Sequence, residues 1–205
     1  MTYTPINAGY LHAVASSTTI TALFAAVWGL SGSFAIPGIL RILCLLTVLL
    51  ISTFLLGIVF RFVRAASHLP ETNAQPRTSN PFRSRLYNVA VGAQFVAIFL
   101  AARLLTALGY ADAIISVVAI IVGLHFFALI PVFQSWRFAA VGGAMILLGL
   151  SSLLLPPAIT WQTGSETLRL RTAVVGLGCA IILWLGIAPL ALATWHHMRQ
   201  ISQAV

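Results

Sequence analysis

Charged residues are scarce in this sequence of 205 residues: they make up 7% of it, and only three of them are acidic. Soluble globular domains carry about 25% charged residues. Hydrophobic residues account for 60% of the chain, and the mean hydropathy is +1.02. A chain of this composition lacks the polar surface that a fold in water requires, so the composition excludes an ordinary soluble domain.

Lysine is absent, and all eleven basic residues are arginine, which gives a net charge of +8. In a soluble protein this charge would suggest nucleic-acid binding. Here the arginines cluster around the ends of apolar stretches, as is typical where charge sets membrane orientation. We therefore expect no nucleic-acid partner. We interpret the exclusive use of arginine as a sign of a GC-rich bacterial genome.

Patterns typical of catalysis or cofactor binding are also missing. The sequence has no Gly-rich phosphate loop, no G-x-S-x-G elbow and no H-E-x-x-H motif. Cys44 and Cys179 both fall in apolar stretches, where cysteine behaves as a small apolar residue. His196 and His197 are adjacent, so on a helix they would point about 100° apart and seldom share a metal ion. We therefore expect neither a metal nor a cofactor.

Long apolar runs are what the sequence has in abundance. Six of them are separated by short polar breaks, and a transmembrane helix needs about 20 predominantly apolar residues. The sequence therefore predicts an all-α fold, an integral membrane helical bundle of six transmembrane helices in a single domain, residues 1–205. The predicted spans are residues 11–30, 39–60, 86–108, 113–133, 138–155 and 172–195.

The first of these stretches is the most polar. It carries five hydroxyl side chains, Ser16, Ser17, Thr18, Thr19 and Thr21. Hydroxyl groups can bond to carbonyls of their own helix, so they oppose insertion into lipid less than charges do. We expect this stretch to span the membrane. If it lies on the membrane surface instead, the bundle has five transmembrane helices and the N-terminus changes side.

One long polar loop is predicted at residues 61–85. Pro70 and Pro76 lie there among polar residues that cannot build a core. Near its end, Asn80 is suited to cap a helix and Pro81 fits the first helical position. We expect this loop to be cytoplasmic.

The arginines are divided unevenly between the two sides of the predicted bundle. Seven fall on the side of the termini: Arg61, Arg64, Arg77, Arg83, Arg85, Arg137 and Arg199. The other side holds Arg41, Arg103, Arg169 and Arg171. Because the side richer in arginine usually faces the cytoplasm, we predict a protein of the bacterial cytoplasmic membrane with both termini cytoplasmic.

Small residues at helical spacing indicate where helices approach closely, since close backbone contact drives helix association in lipid. Such residues recur in four spans: Ala93, Ala97 and Ala101; Ser116, Ala119 and Gly123; Ala139 and Gly143; and Gly176 and Ala180. They predict a compact bundle. An interface between two copies would use the same signal, so we expect the lipid bilayer as a partner and leave open a homo-oligomer or a membrane-protein partner.

Few polar side chains fall inside the predicted spans, which makes those few the natural candidates for function. Gln94 and His125 lie on adjacent helices that run in opposite directions, and both are about 12 Å inside the same membrane face. A hydrogen bond between them would fix one imidazole tautomer and leave the other ring nitrogen for a proton, a metal or a substrate. We predict an intramembrane polar site at these two residues, and a purely structural pair is the alternative.

A second candidate site is a cluster of charges on the outer side. Arg103 lies about 7.5 Å inside the end of the third span, and Asp112 follows across a turn, so an ion pair is one prediction. Snorkelling of Arg103 to the headgroups is the other. Together with Arg41, Arg169 and Glu166, these residues would form a site for an anion or a lipid headgroup.

The sequence leaves the function open between classes. A small-solute transporter or permease would use the polar site at Gln94 and His125. A membrane partner or structural protein without catalysis would act through its surface. An enzyme that acts on lipid or isoprenoid ranks third, because such sites gather several polar residues at one depth and the sequence places only two there.

Overall fold

The computed structural model describes residues 8–68, 84–160 and 167–203, with side chains up to residue 198. Six helices account for most of these residues: α1 (Ala8–Phe34), α2 (Gly38–Ala66), α3 (Arg85–Ala107), α4 (Ile114–Phe133), α5 (Arg137–Ser152) and α6 (Leu170–Gln203). A single 3₁₀ turn, Ala111–Ala113, leads into α4. The chain is an all-α helical bundle, as predicted.

Five helical segments are long and apolar enough to cross a membrane: Ala8–Phe34, Gly38–Ala66, Arg85–Ala107, Ala111–Phe133 and Leu170–Met198. The chain is therefore a multipass membrane protein. The shorter apolar helix is α5, whose 16 residues extend about 24 Å against a hydrocarbon core of about 30 Å.

The first stretch, the most polar of the six predicted spans, forms the 27-residue helix α1. It is one of the five segments that are long and apolar enough to cross a membrane. Its hydroxyl groups explain this result. Thr18 and Thr19 donate hydrogen bonds to carbonyl oxygens one turn earlier in α1, over 2.7 and 2.9 Å. Both hydroxyls are thus satisfied within their own helix.

The C-terminal ends of four helices differ from the prediction by three or more residues. Helices α1 and α6 continue past residues 30 and 195 to Phe34 and Gln203. Helix α2 continues past residue 60 to Ala66, into the segment predicted as loop, and α5 ends at Ser152 rather than at residue 155. The N-cap of α3 is Ser84, whose hydroxyl oxygen accepts a 3.1 Å hydrogen bond from the Tyr87 amide. The predicted cap at Asn80 and Pro81 lies outside the described residues.

Two pairs of packed helices run in opposite directions, as contacts between their ends show. The start of α1 meets the end of α6, where the Tyr10 and Thr194 hydroxyls are 3.3 Å apart. The start of α4 meets the end of α5, where the Ser116 and Ser152 hydroxyls are 2.7 Å apart. We call the end of the bundle with Tyr10 the terminal end and the opposite end the hairpin end.

The hairpin end takes its name from two short antiparallel strands between α5 and α6, a feature that the sequence did not predict. They are β1 (Ile159–Thr160) and β2 (Thr167–Leu168), and Ile159 pairs with Leu168. Arg171, just after this hairpin, donates hydrogen bonds to the carbonyls of Ser152, Leu153 and Leu155 at the end of α5. The short helix α5 is therefore capped by a side chain from α6.

Helices α1 and α6 pack closely through glycines. A Cβ atom added to Gly176 would lie 2.5 Å from the Gly32 nitrogen and 2.6 Å from the Gly32 Cα. Gly176 and Ala180 are buried, which confirms the predicted small-residue pair on α6. The same interface buries Cys179 and Trp28.

Helices α4 and α5 form a second close interface. The predicted stripe of α4, Ser116, Ala119 and Gly123, is fully buried there. On α5 the predicted pair Ala139 and Gly143 is wrong, because a Cβ at Gly143 would meet nothing within 4 Å. The α5 contacts are made instead by the buried residues Gly142, Met145, Gly149 and Ser152.

Helix α3 lies at the periphery and packs mainly on α4. None of its residues is buried, and the predicted packing residue Ala93 is exposed. Ala97 and Ala101 are half-buried. The prediction of close packing therefore holds for α4 and α6 but not for the whole stripe on α3.

Candidate functional site

A cavity of about 150 Å³ lies between α1, α3 and α4, and we call it the polar cavity. Its wall is mostly apolar, with five polar side chains: Ser17, Thr21, Tyr87, Gln94 and His125. Counted at 1.5 Å per residue, Ser17, Gln94 and His125 lie about 12 to 14 Å from the terminal end. The structure thus brings Gln94 and His125 to the same cavity.

The His125 ring is held by a backbone contact. Its Nδ1 atom is 3.2 Å from the carbonyl oxygen of Ala90, which lies one turn before Gln94 on α3. A carbonyl oxygen can only accept a hydrogen bond, so Nδ1 carries the proton. In the neutral ring Nε2 is then an acceptor. The contact of the His125 ring is thus with the Ala90 carbonyl rather than with the Gln94 side chain.

The hydroxyls of α1 divide into two groups. Thr18 and Thr19 bond to their own helix, whereas Ser17 and Thr21 line the polar cavity. In the part of the chain that the structure describes, Ser17, Thr21 and Gln94 have no side-chain hydrogen bond. These groups are therefore available to a molecule in the cavity.

The sequence analysis missed Ser17, Thr21 and Tyr87 as site residues. Their spacing carries part of the signal, since positions 17 and 21 are one turn apart and share a helix face. Spacing alone does not reveal that this face of α1 turns toward α3 and α4. With Ser17, three polar side chains rather than two meet at one depth.

Aromatic rings close the polar cavity toward the terminal end. The Tyr87 and Phe133 rings meet edge to face with centroids 6.3 Å apart. Phe133 and Phe138 are stacked at 5.0 Å, and Phe126 lies 5.9 Å from Phe138. These four residues come from α3, α4 and α5.

The size of the polar cavity limits what it can hold. An apolar cavity of about 150 Å³ accommodates a six-carbon ring such as benzene, whereas pockets for larger ligands measure about 300 to 1,000 Å³. The polar groups offer an amide, two hydroxyls and an imidazole acceptor. The cavity therefore suits a small uncharged molecule that both donates and accepts hydrogen bonds.

At the second candidate site, two arginines have partners outside the predicted cluster. Arg41 donates from Nε to the carbonyl of Ile36 over 2.9 Å. The Arg103 guanidinium lies 5.9 Å from the ring centre of Phe99, one turn away on α3. No ion pair joins Arg103 and Asp112 within residues 8–68, 84–160 and 167–203. The ion-pair prediction is therefore not realised in this structure.

Arg169 and Glu166 were also predicted to belong to that cluster. The main-chain nitrogen of Arg169 donates to the Ala35 carbonyl over 3.0 Å, which ties the start of α6 to the α1–α2 turn. Its side chain is exposed. Glu166 lies outside the described residues. Among the described residues, no group of three His, Cys, Asp or Glu side chains is placed to hold a metal ion.

Comparisons with known proteins give no relative on which a function could rest. No family model, no curated protein and no solved structure matches the chain. The geometry of the polar cavity is therefore the basis on which a function can be proposed.

Proposed function

We propose that this multipass membrane protein carries a small, weakly polar solute across the bilayer through the polar cavity. The observation that supports the proposal most is that Ser17, Gln94 and His125, from three different helices, line one cavity at one depth. Polar groups inside a membrane helix cost insertion free energy, so their convergence on one space favours a solute path over chance.

The charges of the protein favour an uncharged solute. Pumps for protons or cations usually rely on buried acidic residues. The one carboxylate among the described residues, Asp112, is exposed at the hairpin end. The polar cavity offers hydrogen bonds without a fixed charge, and these can replace the water that a neutral solute loses when it leaves the aqueous phase.

Flux through proteoliposomes tests this proposal. We expect the wild-type protein to accelerate the entry of urea and glycerol by tenfold or more over empty liposomes, measured by stopped-flow light scattering. Sucrose should stay excluded because it exceeds the cavity volume of about 150 Å³. His125→Ala should return the rate to that of empty liposomes, because the variant loses the acceptor at Nε2.

His12→Ala is the matched control. His12 is an exposed residue of the same type on α1 and does not line the cavity, so this variant should keep the wild-type flux. Elution as a single species from size-exclusion chromatography would show that both variants fold. Equal fluxes for folded His125→Ala and wild-type protein, or no flux of either solute, would contradict the proposal.

We further propose that the terminal end faces the cytoplasm of a bacterial cell. In support, this end carries four arginines among the described residues, Arg61, Arg64, Arg85 and Arg137. The hairpin end also carries four, but Arg77, Arg83 and Arg199 add three to the terminal end by their positions in the sequence. The side with more arginine is retained in the cytoplasm during insertion.

A further inference from the structure

A second cavity lies between α2 and α6 at the terminal end, separate from the polar cavity. Its volume is about 740 Å³, and it opens to the surface of the bundle. Its lining residues are Gly57, Phe60, Arg61, Arg64, Ala65, His68, Trp195 and Met198. We call it the basic groove.

Two basic residues of this groove lie on one face of α2. Because α2 continues to Ala66, Arg61 and Arg64 are three residues apart on the same helix, and His68 follows in the turn after it. In the loop predicted for this segment, they would have had no fixed arrangement. All three side chains are exposed. The extension of α2 beyond residue 60 therefore creates a cationic rim.

One of these cations is held in place by an aromatic ring. The Arg61 guanidinium carbon lies 5.1 Å from the ring centre of Trp195 on α6, within the range of a cation–π interaction. This contact restricts the conformations of the Arg61 side chain and holds its guanidinium group at the groove. No salt bridge to Arg61 or Arg64 is present among the described residues, so both can accept an anion.

The deeper part of the groove is apolar. Phe60 is 68% exposed, and a Cβ atom at Gly57 would meet nothing within 4 Å, so the wall is open there. Gly57 lies about 6 Å deeper along the helix than Arg61. Further toward the hairpin end, the same two helices border an apolar groove of about 490 Å³ that Cys44 and Ile51 help to line. The cationic groups thus lie at the terminal end of the basic groove, and a second, apolar groove lies further along the same two helices.

We propose that the basic groove binds an anionic phospholipid, with the phosphate at Arg61 and Arg64 and an acyl chain over Phe60 and Gly57. Guanidinium groups bind phosphate oxygens in a bidentate manner. Tryptophan is favoured at the headgroup level, where Trp195 would flank the glycerol. The apolar floor gives the site a contact that a free phosphate ion cannot make.

Native mass spectrometry of the delipidated protein tests this inference. We expect phosphatidylglycerol to bind about tenfold or more tightly than phosphatidylcholine with identical acyl chains, because only the former adds a net negative charge near the two arginines. The double variant Arg61→Gln/Arg64→Gln should lose this preference. Arg85→Gln/Arg137→Gln removes the same charge from the same end but outside the groove, so it should keep it.

The remaining outcomes overturn the inference. Equal binding of the two lipids by the wild-type protein would show that the groove does not distinguish lipids by headgroup charge. Displacement of phosphatidylglycerol by millimolar inorganic phosphate would reveal a simple anion site without a role for the acyl chain. If the double variant does not fold, Arg64→Gln alone gives the decisive measurement, since Arg61 also contacts Trp195.

Discussion

Replacing Gly176 with alanine is expected to lower the melting temperature of the protein by about 2 to 12 °C. The new Cβ atom would lie 2.5 to 2.8 Å from the backbone of Gly32 and the carbonyl of Trp28. Backbone atoms cannot rotate away, so α1 and α6 must separate. Overpacking of this kind costs about 1 to 3 kcal/mol, and about 2 to 4 °C is lost per kcal/mol in a chain of this size.

Gly143→Ala is the matched control for this experiment. Its Cβ atom would meet nothing within 4 Å, and alanine has the better helix propensity. Tryptophan fluorescence during heating in mild detergent measures both variants. If Gly176→Ala melts at the wild-type temperature, then α1 and α6 do not approach as closely as the structure shows.

Replacing Arg171 with glutamine is expected to reduce stability by about 1.5 to 3 kcal/mol, the range for hydrogen bonds to charged groups. Arg171 donates to three carbonyls at the end of α5, over 3.2, 3.4 and 2.7 Å. The Ser152 carbonyl also accepts a hydrogen bond from the Leu155 amide, so Arg171 is a second donor there. Without Arg171 the carbonyls of Leu153 and Leu155 would lose their hydrogen bonds, and unsatisfied carbonyls are costly.

Arg169→Gln separates this effect from a simple loss of charge. Arg169 lies two residues away with an exposed side chain, and its main-chain hydrogen bond to Ala35 would remain. We expect this control to melt within 2 °C of the wild type. Arg171→Lys should fall between the two, because an ammonium group keeps the charge but lacks the guanidinium fork. Equal melting temperatures for all three variants would refute the capping role.

The membrane fold could be predicted because it depends on the length and composition of apolar runs. The end of α2 could not be predicted, because residues 61–66 mix two arginines with four apolar residues and nothing in them breaks a helix. On α5, Gly142 and Gly143 are neighbours, so spacing alone does not reveal which of them faces α4. The direction of that face depends on tertiary packing.

The candidate site was predictable only in part. Gln94 and His125 could be paired by depth, since consecutive transmembrane helices alternate in direction. Ser17 comes from α1, which lies far from both in the sequence, and no periodicity places α1 against α3 and α4. The predicted cluster around Arg103 consists of side chains that reach solvent. Such side chains have other partners available, so position in the sequence does not fix their contacts. The homo-oligomer or membrane-protein partner stays a prediction.

A solute path through the polar cavity requires water in that cavity, and cysteine labelling at Ser17 tests this most directly. In a chain with Cys44→Ser and Cys179→Ala, Ser17→Cys should react with a small methanethiosulfonate reagent in proteoliposomes, because the reaction needs a thiolate and therefore water. Glycerol should slow this reaction. Ser16→Cys, the adjacent exposed position outside the cavity, should stay unmodified in lipid. Equal rates at both positions, or no reaction at Ser17→Cys, would show that the cavity is dry and would contradict a solute path through it.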